Sequence, residues 1–441
     1  MVSTVTVPGS AAGSSISISS TTASNISLAN QISSVINAAQ SDETLVTSDF
    51  NGPIYPVSGG QIGQIAVTVT GSTASFAAGY TYMTVADGVA TTVNGAAGTQ
   101  LLAGTGGLTY LGAVGAATVT SAGLTDNISL VAGSMALVVL GDTATVTSAG
   151  SNSTILGGTG TFTVNETGSF DTIVAGTGTA RIVSAGISNV ILSGAGDLVV
   201  AEGGSNDLII AGAGNPGSGS ATINAAGASN LTVFDGTANL TFIGGTGSAT
   251  IVGSSVSHDQ VQAGTGPLQF SSGGGQATIV GGAGGSTLFG GAGGSINFGN
   301  TAGNATFVAG AGAETLNGAL SATNNIFWGG SGNDLMIGGA GNDTLVAGSQ
   351  SDTLAGGGAS NNFVFFKSFI AGSAPTDIIT DFTAGTDGVL LSGYSSAEAG
   401  NAIAGAISGG GSTTLTLSDN TRITFLGVAN SSSLSGRILS G

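Results

Sequence analysis

The sequence feature that most constrains the fold is a run of three nine-residue repeats from Gly329 to Ala355. The copies read GGSGNDLMI, GGAGNDTLV and AGSQSDTLA, with aspartate at the sixth position and an apolar residue at the eighth. The aspartates are Asp334, Asp343 and Asp352, and the apolar residues are Met336, Leu345 and Leu354. Six glycine-rich residues favour a turn, and the next three form a short strand that directs one side chain inward. Two repeats therefore predict one coil of the roll, so residues 18 apart stack on one another in neighbouring coils.

This pattern, G-G-x-G-x-D-x-U-x, resembles the RTX family of secreted bacterial proteins. The resemblance implies a parallel β-roll that binds Ca²⁺, an ion that takes six to eight oxygen ligands from carboxylates and carbonyls. On the family's geometry, one ion lies between the turns of Asp334 and Asp352, with further ligands from the carbonyls of Gly330 and Gly332. The candidate metal residues over the three repeats are Gly330, Gly332, Asp334, Gly339, Gly341, Asp343, Gly348 and Asp352.

The opposite edge of the roll is predicted to bind calcium more weakly. Asp343 lies there, but the residues 18 positions before and after it are Asn325 and Asn361, so this edge carries fewer charges. The alternative for the whole repeat is a glycine-rich turn array without metal.

Composition and charge exclude several classes of function. The chain has 81 glycines in 441 residues and 41% hydrophobic residues, with a mean hydropathy of +0.43, which favours a repetitive all-β protein over a disordered or helical one. Its 22 acidic residues against four basic ones give a net charge of −18, which excludes nucleic acid as a partner and suits divalent cations. The absence of cysteine excludes disulfides, thiolate catalysis and cysteine-ligated zinc.

Membrane insertion is not predicted by the hydropathy pattern. The densest apolar run, Met135 to Leu140, is six residues long, whereas a transmembrane helix needs about 20. Met1 to Ser10 contains no basic cluster, so we expect no cleaved secretory peptide there.

Residues 1–60 are predicted to form an N-terminal arm that contains one helix near residues 25–40. The apolar residues Leu28, Ile32, Val35, Ile36 and Ala39 fall on one helical face, and Ser24 or Asn25 is a candidate N-cap. This face could cover the open end of a solenoid or dock onto another subunit or the cell surface.

Residues 61–324 are predicted to be a degenerate, glycine-rich β-solenoid with about 18 residues per coil, which makes the fold class all-β. Two apolar series recur at this period. The first contains Met83, Leu101, Val119, Leu137, Ile155, Ile173, Ile191 and Ile209; the second contains Tyr110, Ile128, Val146, Val164, Ile182 and Val200. Asp171 and Asp207 are further calcium candidates, which we assign to the same edge as Asp334.

The position after each member of the first series should face outward, because side chains alternate along a strand. That position is mostly apolar: Leu102, Thr120, Val138, Leu156, Val174, Leu192 and Ile210. Such a stripe suggests contact with another chain or surface. The alternative is that a register shift or the N-terminal segment covers it.

Residues 325–362 hold the calcium repeats, and residues 363–441 are predicted to form a C-terminal β cap. The segments Asp377–Leu391 and Thr414–Val428 look like those that close RTX proteins before an uncleaved export signal. The resemblance therefore implies type I secretion, with folding outside the cell where calcium is abundant. The expected location is secreted, extracellular or on the bacterial cell surface.

No catalytic motif accompanies the repeats: the chain has no G-x-S-x-G elbow, no zinc-binding histidine pair and only four scattered basic residues. We therefore predict a non-enzymatic, calcium-stabilised structural protein that assembles with copies of itself into a surface layer (S-layer), filament or biofilm matrix. An adhesin or binding module for cell-surface polysaccharide is the alternative. A carbohydrate-active enzyme is a third class.

Overall fold

The computed structural model describes residues 3–20, 22–212, 219–291, 296–299, 303–369 and 374–441. The chain forms two compact units, Met1–Ile223 and Asn224–Gly441. In both units, short strands alternate between two parallel sheets, sheet I and sheet II, as the chain winds. The predicted parallel β-solenoid with about 18 residues per coil is therefore confirmed.

The first unit contains a β-hairpin, one helix and coils of both sheets. The hairpin is β1 (Ser3–Pro8) and β2 (Ser15–Ser20), and the helix is α1 (Ala23–Ser41). Sheet I contains β3 (Leu45–Asp49), β4 (Ile62–Val67), β6 (Tyr80–Val85), β8 (Thr99–Ala103), β10 (Gly115–Ser121), β12 (Ser134–Leu140), β14 (Thr154–Leu156), β16 (Thr172–Val174), β18 (Val190–Leu192) and β20 (Leu208–Ile210). Sheet II contains β5 (Ser72–Ser75), β7 (Thr91–Asn94), β9 (Leu108–Leu111), β11 (Thr125–Leu130), β13 (Thr143–Ser148), β15 (Phe162–Glu166), β17 (Ala180–Ser184), β19 (Leu198–Glu202) and β21 (Ser220–Ala225).

The second unit repeats this arrangement. Sheet I contains β22 (Leu231–Phe234), β24 (Ala249–Val252), β26 (Leu268–Ser271), β28 (Ser286–Phe289), β30 (Ala305–Val308), β32 (Ile326–Trp328), β34 (Thr344–Val346), β36 (Asn362–Phe366), β38 (Gly388–Ser392) and β42 (Ile438–Ser440). Sheet II contains β23 (Asn239–Gly244), β25 (His258–Gln262), β27 (Gln276–Val280), β29 (Ile296–Gly299), β31 (Thr315–Asn317), β33 (Leu335–Gly339), β35 (Thr353–Gly357), β37 (Thr376–Ile379), β39 (Ile407–Gly409), β40 (Ser412–Thr416) and β41 (Arg422–Phe425). A helix, α2 (Glu398–Ala404), and two 3₁₀ turns, Lys367–Phe369 and Ser431–Leu434, complete the unit.

The core consists of stacked aliphatic side chains between the two sheets. Ile155, Ile173, Ile191 and Ile209 pair in register on neighbouring strands of sheet I, and all four are fully buried. The second predicted series, from Tyr110 to Val200, stacks in the same way on sheet II. Glycine permits this close stacking at the turns, since a Cβ at Gly176 would clash with the carbonyl oxygen of Gly158 in the preceding coil.

The first predicted series is wrong at one position, Leu137. Val119 pairs with Val138, 19 residues later, and Val138 then pairs with Ile155, 17 residues later. Val138 is therefore the buried residue, while Leu137 faces outward and Val139 replaces Val138 in the outer stripe. A long coil followed by a short one restores the register, so counting in steps of 18 misses the shift.

Aromatic residues enlarge the core of the second unit. In sheet I the stacked column runs through Phe270, Leu288, Phe307, Phe327 and Leu345. The rings of Phe307 and Phe327 are parallel, with centroids 4.5 Å apart. Stacking of aromatic rings adds to the stabilisation that burial of each ring provides.

The N-terminal hairpin and helix pack on the outer face of sheet I, where Ile32 and Ile36 of α1 share a cluster with Tyr82 and Leu102. The N-cap of α1 is Thr22, whose Oγ1 accepts from the N–H of Asn25 at 3.2 Å, so the predicted N-cap candidates Ser24 and Asn25 are wrong. Asn25 instead joins the first turn of the helix to sheet I, because its Nδ2 donates to Ser121 O at 2.8 Å and its Oδ1 accepts from Thr120 Oγ1 at 2.5 Å. The predicted helix is present, but it covers a face of the solenoid and not its open end. Leu102 and Thr120 of the outer stripe are buried beneath this segment.

The C-terminal end of the second unit departs from parallel pairing. β37 pairs with β41 in parallel, and β40 then pairs antiparallel with both β41 and β39. This antiparallel meander and α2 lie within residues 363–441, for which a C-terminal β cap is predicted. Among the described helices, none is long and apolar enough to cross a membrane.

Candidate metal centre

The repeat aspartates lie at the turns between the two sheets. Asp334 and Asp352 precede β33 and β35, so they lie where the chain passes from sheet I to sheet II. Asp343 precedes β34, where the chain returns to sheet I. The predicted alternation of edges is therefore present in the structure.

Each of these side chains bonds to the coil before it. The backbone N–H of Asp334 donates to Asp352 Oδ1 at 2.8 Å, and the N–H of Asp343 donates to Asn361 Oδ1 at 2.9 Å. This bond recurs at both edges, so it draws residues of one edge into a column along the solenoid.

The first column contains four buried carboxylates: Glu314, Asp334, Asp352 and Asp377. The N–H of Glu314 donates to Asp334 Oδ1 at 2.8 Å, and the N–H of Asp352 donates to Asp377 Oδ1 at 2.9 Å. None of the four side chains is more than 2% exposed. Counting by 18 misses Glu314 and Asp377, which lie 20 residues before and 25 residues after their neighbours in the column.

The second column alternates amides with acids: Asn325, Asp343, Asn361 and Asp387. The bonds from the N–H of Asn325 to Asp343 Oδ1 and from the N–H of Asn361 to Asp387 Oδ1 are 2.6 Å and 2.9 Å long. This column holds half as many carboxylates as the first, in agreement with the lower charge expected from Asn325 and Asn361.

Burial makes the first column costly to ionise. It raises the pKa of Asp352 and of Asp377 to about 7, because desolvation and mutual repulsion outweigh the backbone N–H groups that favour the charged forms. Desolvation and the neighbouring charge of Asp334 also raise the pKa of Glu314. A bound divalent cation would remove this cost by neutralising the stacked charges.

All of the predicted glycine ligands except Gly339 lie in the same turns. Gly330 and Gly332 precede Asp334, Gly341 precedes Asp343, and Gly348 precedes Asp352, while Gly339 ends β33. The N–H groups of Gly330 and Gly348 donate to Oδ2 of Asp334 and Asp352 at 3.1 Å and 2.7 Å, so each turn closes on its own carboxylate. Which of these glycine carbonyls bind an ion stays a prediction.

The donor atoms suit calcium. Oδ2 of Asp343 and both carboxylate oxygens of Glu314 are buried without a hydrogen-bond partner. Within the described ranges no three Asp, Glu, His or Cys side chains converge as a metal cluster, so the oxygens that these turns offer to an ion are those of stacked carboxylates and of backbone carbonyls. Such an all-oxygen set suits the flexible coordination of Ca²⁺ better than the nitrogen and sulfur preference of zinc.

The structure also reveals paired acids in the first unit. Asp171 and Asp207 precede β16 and β20, where the chain returns to sheet I, so they occupy the same position as Asp343. The prediction that they lie on the edge of Asp334 is therefore wrong. Each faces a buried glutamate five residues earlier, Glu166 or Glu202. The sequence carried a signal for them: the motif E-x-G-S-x-D occurs at 166–171 and again at 202–207.

Comparison with known proteins identifies the repeat. The family model of the RTX calcium-binding nonapeptide repeat (4 copies) matches residues 321–354 and 328–364. No curated protein matches the chain. The matched range contains the central residues of both columns, and repeats of this family bind Ca²⁺. Residues 321–364 therefore belong to the family of RTX calcium-binding nonapeptide repeats.

Proposed function

We propose that this protein is a calcium-stabilised extracellular structural protein that assembles with copies of itself into a surface layer, filament or biofilm matrix. The observation that carries the proposal is an apolar stripe on the outer face of sheet I. It consists of Leu156, Val174, Leu192 and Ile210, which pair in register on β14, β16, β18 and β20.

The stripe continues the surface that the N-terminal segment covers. α1 packs over β8, β10 and β12, and its first residues, Ala23 and Ser24, line a hollow with Leu156 and Val174. All four stripe residues are partly exposed. Monomeric proteins seldom expose a long apolar patch.

A second copy of this chain is the occupant we assign to the stripe. Neighbouring strands in a sheet lie about 4.8 Å apart, so the apolar side chains form ridges at a constant spacing. An identical ridged surface can interdigitate with this one over its whole length. Two matching patches of this kind form the self-complementary interface common in homo-oligomers.

Calcium fits this function as the signal for folding outside the cell. Proteins with RTX repeats are typically exported by type I secretion, and their fold is typical of non-enzymatic structural and adhesive proteins. The buried acids of the first column repel one another without an ion. Calcium binding is therefore coupled to folding, and folding is a precondition for a surface that polymerises.

Electron microscopy of the purified protein with calcium and with EGTA tests this proposal. We expect ordered assemblies with calcium and their loss with EGTA. The double variant Val174→Lys, Leu192→Lys should abolish assembly while calcium binding and circular dichroism are unchanged, because two charges then lie in the apolar contact. Val183→Lys, at an exposed site on sheet II, is the matched control and should assemble.

Assembly of the double variant at the parent's concentration would contradict the role of the stripe. A protein that stays monomeric with calcium at high concentration would contradict self-assembly as a whole.

A polysaccharide-binding adhesin is the second candidate, and a groove favours it. On sheet II of the second unit, Thr241, Gln260 and Thr278 lie side by side on β23, β25 and β27, beside Ile243 and Val280. They line a shallow hollow of about 600 Å³. Co-sedimentation with insoluble bacterial polysaccharide that is lost in Gln260→Ala, by a protein that remains monomeric, would favour this function over self-assembly.

A further inference from the structure

Two turns of the first unit combine a glutamate and an aspartate inside the solenoid. They are the turns of Glu166 and Asp171 and of Glu202 and Asp207, two coils apart and outside the range matched by the RTX repeat. In nonapeptide terms the aspartate holds position six, and the glutamate takes position one, where the RTX turn of Asp334 has Gly329.

The oxygens of each turn converge beside a glycine. A Cβ built on Gly168 would lie 2.7 Å from both Glu166 Oε1 and Asp171 Oδ2, and it would also meet the carbonyl oxygen of Gly150 in the preceding coil. At Gly204 the corresponding distances to Glu202 Oε1 and Asp207 Oδ2 are 3.0 Å and 2.6 Å, and the third oxygen is that of Gly186. In both turns two carboxylate oxygens and one carbonyl oxygen of the coil before therefore converge beside the glycine.

These carboxylates are buried and incompletely paired. The four side chains are between 0 and 3% exposed. Oε2 of both glutamates and Oδ2 of both aspartates have no hydrogen-bond partner. An unpaired buried carboxylate is strongly destabilising, so a counter-charge or a proton is needed beside these oxygens.

The intervening turn shows what fills the same position when acids are absent. There Ser184 and Asn189 replace the glutamate and the aspartate, and Asn189 Nδ2 donates to Ser184 Oγ at 3.5 Å and to the carbonyl of Gly168 at 3.4 Å. An amide can donate hydrogen bonds to the neighbouring oxygens, whereas a carboxylate cannot. The position thus requires positive charge density, which the side chains of the acidic turns do not supply.

We propose that the turns 166–171 and 202–207 each bind a calcium ion through the glutamate, the aspartate and the carbonyl of the coil before. Gly150 supplies that carbonyl at the first site and Gly186 at the second. Hard oxygen ligands that include two carboxylates suit Ca²⁺, and carbonyls or water complete its six to eight ligands. Each ion links neighbouring coils outside the nonapeptide repeats, whether or not the protein assembles.

Counting bound calcium in the full-length protein tests the proposal. After EGTA treatment and equilibrium dialysis against buffered calcium at neutral pH, the variant Glu166→Gln, Glu202→Gln should bind about two ions fewer than the parent. The control Asp197→Asn removes an exposed carboxylate outside these turns and should bind as many ions as the parent. The triple variant Asp334→Asn, Asp343→Asn, Asp352→Asn should retain about two ions that the two glutamine substitutions then remove.

An unchanged ion count in the folded glutamine variant would overturn the proposal and would indicate that the acid pairs hold protons instead. Amide hydrogen exchange of the unsubstituted chain provides a test that needs no variant. Addition of calcium should slow exchange in peptides that cover 166–171 and 202–207. Equal exchange rates there with and without calcium would also overturn the proposal, and neither result depends on self-assembly.

Discussion

At the scale of single residues, the turn position that precedes a short strand serves two purposes. One oxygen of an Asp or Asn side chain accepts the backbone N–H of the coil before, as Asp171 does from Ser153 at 2.5 Å and Asp343 from Asn325 at 2.6 Å. Both residue types can make this bond, so it explains why Asn and Asp interchange in the columns. Only the carboxylate leaves a second, charged oxygen for a cation.

Asp126 illustrates the same bond away from the nonapeptide repeats. Its Oδ1 accepts from the N–H of Leu108 at 3.0 Å, and its Oδ2 is buried without a hydrogen-bond partner. Burial is the main reason that its pKa is raised to about 6, and the charge of Asp142 raises it slightly further. The folded protein therefore binds the proton of Asp126 more tightly than the unfolded chain does.

We expect Asp126→Asn to stabilise the protein at pH 8 and to leave its stability nearly unchanged at pH 4. A raised folded-state pKa gives stability that is present below about pH 4 and is lost as the pH rises to about 6. At about 1.4 kcal/mol per pKa unit, the gain at pH 8 is at most about 3 kcal/mol. Urea unfolding at the two pH values, at constant calcium, measures it.

Asp197→Asn, at an exposed turn, is the control, because it removes a carboxylate that is not buried. Equal stability of the parent and Asp126→Asn at pH 8 would contradict the cost assigned to the buried carboxylate.

At the scale of elements, the strands are too short to be stable alone. β14, β16, β18 and β20 have three residues each, so their stability comes from stacking in the ladder of four buried isoleucines. Each side chain in the ladder is enclosed by the coils before and after it. A gap in one coil therefore removes contacts on both sides.

We expect Ile173→Ala to lower the free energy of unfolding by about 2–5 kcal/mol, as large-to-small substitutions in a tight core do. Val174→Ala in the same strand is the matched control. Its side chain faces outward, and we expect a loss of less than about 1 kcal/mol. Chemical denaturation of both variants measures the contrast, and equal losses would argue against a core between the sheets.

The two columns of turn residues should differ in calcium affinity. Asp352→Asn removes one of four stacked carboxylates from the first column, whereas Asp343→Asn removes the central acid of the column that alternates with amides. We expect the parent's tightest calcium binding to be weakened about 10-fold or more by Asp352→Asn and to be retained in Asp343→Asn, because the number of charged ligands sets affinity.

Isothermal titration calorimetry of the calcium-free protein resolves the two classes of site. If the tightest calcium binding were lost in Asp343→Asn and retained in Asp352→Asn, the second column and not the first would hold the tighter site.

At the scale of the whole molecule, a net charge of −18 opposes a compact state unless cations bind. We expect calcium to raise the thermal midpoint far more than magnesium or sodium at equal ionic strength. Sodium only screens charge, and magnesium requires a small octahedral site and gives up its water reluctantly. A ligand that binds only the folded state stabilises it by about 2.7 kcal/mol at 100 times its Kd. Differential scanning calorimetry compares the salts.

Equal midpoints in calcium and magnesium would show that the ions act by screening or by non-selective binding. In that case the stacked carboxylates would not form calcium sites.

Much of the architecture follows from the sequence because the solenoid is built from local rules. Alternation along a strand determines which side chains face inward, and a constant coil length stacks Ile155, Ile173 and Ile191. The nonapeptide motif likewise placed Asp334 above Asp352. These features need only the distance along the chain.

The tertiary structure decided what local periodicity cannot express. Turns of variable length set which residues become neighbours. Glu314 therefore bonds to Asp334, 20 residues later, and Val138 takes the buried position that was predicted for Leu137. The covering of sheet I by α1, and the meeting of Glu166 with Asp171 beside Gly168, depend on packing between segments that the repeat does not relate. The sequence alone therefore determined the coil and its calcium motif, whereas contacts across coils decided where charge is buried and which face is left open.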